Sequence, residues 1–88
     1  MIFKQTRIRN RRINKLRGAI DVAYVRESDP VKSMEMKRDL ELFYERFGDF
    51  DSSIGDNNSC EYGLATLDLF EELEVKYLKA PKIAAKQL

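Results

Sequence analysis

The dipeptide Asp29-Pro30 stands between two stretches of helical periodicity and fixes where the chain must turn. A residue before proline is pushed out of the α region, so a helix arriving through Tyr24 ends within "RESDP". Asp29 can then cap a second helix, and Pro30 suits its first position, where a missing N–H costs nothing. Upstream, Ile13, Leu16, Ile20, Ala23 and Tyr24 recur on one helical face and predict a helix from about Thr6 to Arg26, weakened at Gly18. Downstream, Met36, Leu40, Phe43 and Phe47 predict a helix over 31–47 that stops at Gly48.

The polar stretch "GDFDSSIGDNNS" separates these from a third predicted helix, Cys60 to Lys79, with Ser59 as its cap and Pro81 beyond its end. We find no strand-like alternation. The expected fold is therefore all-α: a small three-helix domain in which helices two and three form an antiparallel hairpin across a 12-residue loop. Its 88 residues suit a single domain, 1–88, with loosely ordered ends at 1–5 and 80–88.

The third helix poses a covering problem. Tyr62, Leu69, Phe70, Leu73 and Tyr77 gather on one side of it, while Leu64, Leu67, Val75 and Leu78 gather on the other. Helix two likewise carries Val31, Met34 and Leu42 away from its main stripe. Those seven residues are the expected oligomer or partner interface, and self-association is the expected state.

Charge is distributed in poles. Residues 1–26 hold eight basic residues and one acid, residues 27–74 hold fourteen acids and four bases, and the last fourteen residues add four lysines. The net charge of +1 is thus a cancellation. On a continuous helix, Lys4, Arg7, Arg11 and Lys15 would form one basic stripe, and Arg9 and Arg12 are further candidate anion contacts of the same block. Four such side chains on nucleic acid imply a log-log salt slope of about −3 on a single strand and about −4 on B-DNA. The alternative acceptor is acidic protein, with Glu71, Glu72 and Glu74 of a second subunit the best candidates.

Within this block, Gln5 to Lys15 reads "QTRIRNRRINK" and resembles, over these eleven residues, the arginine-rich RNA-binding motif of lambdoid phage antitermination N proteins, QTRxRxRRxxK. The resemblance implies that Arg7, Arg9, Arg11, Arg12 and Lys15 meet an RNA hairpin from a bent helix. It is local, and Ile8, Ile13 and Leu16 are apolar where that family is polar.

Several chemistries lack their residues. With no histidine and one cysteine, neither a histidine-based nucleophile system, a structural zinc site nor an internal disulfide can be assembled. The phosphate-cradling glycine motifs are missing too, so we expect no enzyme and no cofactor. In "DFDSSIGDNNSCE", Asp49, Asp51 and Ser53 alternate like calcium ligands, but Ile54 and Cys60 occupy the positions that need glycine and glutamate. Cys60, at the expected start of helix three, would feel the positive end of that helix, but with no histidine in the chain and Glu61 adjacent it reads as an ordinary partly buried cysteine. The helix after the short turn carries Glu35, Asp39, Glu41 and Glu45, which argues against a helix-turn-helix DNA reader. With no signal peptide and no apolar span, the expected location is cytoplasmic, away from membranes.

The sequence thus points to a non-enzymatic helical binding protein, a self-associating regulator or inhibitor that engages a protein partner or a phosphate-bearing ligand through its basic N-terminal helix. The alternatives are an RNA- or DNA-binding protein using residues 4–17 and an assembly component joined through its basic and acidic poles.

Overall fold

The computed structural model describes residues 5–48, 53 and 55–79. In chain order they form strand β1 (Gln5–Arg9), helix α1 (Asn10–Arg26), helix α2 (Pro30–Phe47), strand β2 (Ser59–Gly63), helix α3 (Leu64–Glu74) and a π-helical turn, Val75–Lys79. The expected loose ends, 1–5 and 80–88, lie outside the described residues except for Gln5, which opens β1.

The fold is not all-α. β1 and β2 pair antiparallel, with Thr6 opposite Tyr62, Arg7 opposite Glu61, Ile8 opposite Cys60 and Arg9 opposite Ser59. Alternate side chains point to opposite faces of a strand. Ile8 is therefore fully buried while Arg7 and Arg9 face solvent. This pairing shortens two predicted helices. α1 starts at Asn10 rather than Thr6, and α3 starts at Leu64 rather than Cys60, because the residues before each are committed to the ladder.

The turn at Asp29-Pro30 forms as its residues dictate. The Asp29 carboxylate accepts the Val31 N–H at 3.0 Å, and Pro30 opens α2. Glu27 takes part by accepting the N–H groups of Ser28 and Asp29. So short a connection makes α1 and α2 the packed helical hairpin, in place of the expected pairing of helices two and three. α3 instead meets α2 through aromatic rings.

Those rings close the core. Phe47 lies 5.1 Å from Phe43, 5.0 Å from Tyr62 and 5.3 Å from Phe70, centroid to centroid. Its contacts with Tyr62 and Phe70 are edge-on, the arrangement ring quadrupoles favour. One side chain of α2 thereby joins β2 and α3. Ile8, Ile13, Leu16, Ile20, Phe43, Phe70 and Leu73 complete the cluster, each worth about 1.5–3 kcal/mol over leaving it in water.

Two-faced α3 is resolved in part by the same packing. Tyr62 belongs to β2, and Val75 and Leu78 lie in the π-helical turn, where the α-helical progression no longer applies. Leu67 and Leu78 pack against the core, Leu42 is half-buried, and Leu64, Val75, Val31 and Met34 stay exposed.

Ile8 carries the buried face of β1, so Ile8→Ala should destabilise the fold by about 2–5 kcal/mol in urea unfolding. Asp29→Ala should cost about 1 kcal/mol by the same measurement.

Candidate anion-binding site at the strand–helix junction

The basic block does not form the single helical stripe expected of it, because the strand ends and the helix begins at Arg9–Asn10. The bent-helix geometry implied by the antitermination motif is likewise replaced by a strand over its first five residues. Ile8, Ile13 and Leu16, its apolar departures, are all core. Lys4 lies outside the described residues.

Two of the remaining five basic residues are held within the chain. Arg7 Nε donates to Glu61 Oε1 at 3.0 Å across the outer face of the sheet, where both side chains are well exposed. Water and salt weaken such a pair to about 0–1 kcal/mol. Arg12 is held more firmly. Its Nη2 lies 2.8 Å from Glu74 Oε1, its Nε donates to Oε2 at 3.4 Å, and the guanidinium stands 5.1 Å from the Phe70 ring centroid. Glu74 is buried, so Arg12 supplies the countercharge that a buried carboxylate needs. Glu74, expected as an acceptor for another subunit, is thus satisfied within its own chain.

Arg9, Arg11 and Lys15 remain. All three are exposed, and none has an ion-pair partner among the described residues. They flank the start of α1. Arg9, in the N-cap position, makes no side-chain cap, and the first turn of α1 contains no acid. The Asn10 N–H is satisfied by the Asn58 carbonyl at 2.7 Å. The helix dipole makes this end positive, and Arg11 adds a further positive charge. The arrangement can receive an anion.

Other sequence candidates fall differently. Cys60 is a half-buried strand residue opposite Ile8 and not the start of a helix. Asp49 and Asp51 of the calcium-like loop lie outside the described residues, and Ser53 is exposed. Among the described residues, no group of three or more histidine, cysteine, aspartate or glutamate side chains could hold a metal ion, and no helix is long and apolar enough to cross a membrane.

The sequence gives no local sign of a second polar cluster, because its members come from distant segments. Asp39 accepts from Tyr77 Oη and from Lys76 Nζ, each at 2.6 Å, and so pins the π-helical turn to α2. Burial pushes the Tyr77 phenol well above its ordinary value, and the bond to Asp39 and the negative charges of Asp39 and Glu35 push it further. No family model matches the chain, and no characterised protein or solved structure matches it either.

Arg12→Ala should cost about 2 kcal/mol in chemical unfolding, as loss of a charge-assisted contact to a buried carboxylate does, and Arg7→Ala under about 1 kcal/mol. The raised Tyr77 value has a signed consequence for pH. The folded phenol keeps its proton where the unfolded one releases it, so the stabilisation is complete below pH about 10 and is lost as pH rises beyond that. Wild-type stability should fall more steeply above pH about 10 than that of Tyr77→Phe, measured by urea midpoints across the alkaline range.

Proposed function

We propose that this chain is a non-enzymatic binding protein that grips a phosphate-bearing strand at the β1–α1 junction, with Arg9, Arg11 and Lys15 as its contacts. The observation that carries the reading is the set of three exposed cations, Arg9, Arg11 and Lys15, gathered around the start of α1, which has no acid in its first turn. Local charge rules are broken there without compensation from the described residues, and such violations concentrate at functional sites. Helix N-termini accept phosphate through backbone N–H groups and the helix dipole together. The arginines add planar donors suited to phosphate oxygens.

The ligand class favoured is a nucleic-acid backbone. Arg9 ends a strand while Arg11 and Lys15 lie one turn apart on a helix, so the cations are spread along a path instead of closing around one small anion. A cytoplasmic location belongs to this reading, with Cys60 kept reduced there. A second reading, a regulator that docks a protein partner, draws support from α2, where Val31 and Met34 are exposed and line a surface hollow with Glu35 and Arg38.

Fluorescence anisotropy of a labelled oligouridylate, titrated across salt concentrations, separates the two. Three contacts predict a log-log slope of about −2 on a single strand, shallower than four contacts on one helical stripe would give. Combined replacement of Arg9, Arg11 and Lys15 by glutamine should flatten the slope toward zero, and Arg7→Gln should change it by less than one contact's share. Absence of salt-dependent binding, or equal binding of labelled polyglutamate, would sink the phosphate reading.

A further inference from the structure

Beyond its basic turns, α1 presents a different surface. Ile20 marks the inward direction of the helix, and at about 100° per residue Arg11, Lys15, Gly18, Val22 and Val25 lie on the opposite side. The stripe is basic over its first half and small and apolar over its second. Val25 is 80% exposed and Val22 51%, and with Asp21 and Arg26 they line a shallow surface hollow. A Cβ added at Gly18 would meet nothing within 4 Å, so the open surface continues there. Asp21 and Arg26 bracket the two valines, and neither has an ion-pair partner among the described residues.

We propose that the last turns of this face, Asp21–Arg26, are the interface of a two-fold dimer in which they pack antiparallel against the same residues of a second copy. The order Asp21, Val22, Val25, Arg26 is self-complementary under such an axis. A register that sets Val22 against the partner's Val25 also sets Asp21 against the partner's Arg26, and the symmetry repeats both contacts. Parallel pairing in register would instead oppose like charges. The antiparallel direction also turns the basic half of α1 toward the acidic turn that contains Glu27 and Asp29, instead of toward another basic half.

A second copy is favoured over an unrelated partner because this charge pattern complements itself. The short valine side chains at 22 and 25 keep the surface low, which lets two helix axes approach at the near end of the usual 8–10 Å range. Arg9 and Arg11 precede the paired stretch. This inference stands on Asp21, Val22, Val25 and Arg26 and does not rest on the proposed ligand.

Sedimentation equilibrium of the whole chain over a concentration series tests it, with circular dichroism to confirm folding of every variant. The wild type should show a monomer–dimer equilibrium. Val25→Glu should weaken the dimer at least about tenfold, since it places unpaired like charges beside the axis. Asp21→Arg and Arg26→Asp should each weaken it, and the double variant D21R/R26D should recover it, which a merely structural role for either residue would not produce. Leu64→Glu, on the exposed side of α3, should leave it intact. A chain that stays monomeric up to about 1 mM, the limit of weak association, overturns the proposal. So does a dimer that survives Val25→Glu, one that Leu64→Glu abolishes, or a double variant as weak as its parents.

Discussion

Five paired residues in each of two short strands set the geometry of everything else. β1 and β2 run antiparallel, and each passes directly into a helix, so α1 and α3 leave the ladder from opposite ends. α3 then runs back toward the start of α1, where Glu74 meets Arg12. Phe47, Tyr62 and Phe70 fill the space that this return creates. Two strands alone are marginal in water, so the ladder depends equally on the helices that cover its inner face through Ile8.

This arrangement divides a single basic block into parts with different duties. Ile8 turns inward, and its neighbours Arg7 and Arg9 are thereby turned out. Arg12 is directed to the end of α3 and neutralises Glu74, which makes it part of the framework. Arg11 and Lys15, one helical turn apart, are left on the outer face of α1. A positive stretch that reads as uniform in the sequence thus holds both structural and free charge, and burial decides which is which.

The sequence revealed most where its signals were local. α2 was legible almost to the residue, because Asp29 caps it, Pro30 opens it and Gly48 follows it. The strands were not, for two physical reasons. Arginine is a good helix former, so "TRIRNRR" reads as helix, while the alternation in Thr6–Arg9 and Cys60–Tyr62 is too short to compete. The strand pairing is also remote, since Arg7 and Glu61, opposite each other in the ladder, are 54 positions apart. The same limit applied to the site. The block itself was plain, but Glu74 as the partner of Arg12, and Asp39 as the partner of Tyr77, depend on tertiary packing.

That remoteness also bears on how the chain assembles as it is synthesised. The α1–α2 hairpin contains its own turn and can associate as soon as it emerges. β1 cannot pair then, because its complement is made some fifty residues later. Until Ser59–Gly63 arrives, Ile8 and the inward faces of Phe43 and Phe47 have no cover from β2 or α3. Non-local pairing of this kind slows folding and prolongs the exposure of apolar surface and unpaired strand edges. The arginines on either side of Ile8 give the waiting strand a charge that discourages premature contact between nascent copies.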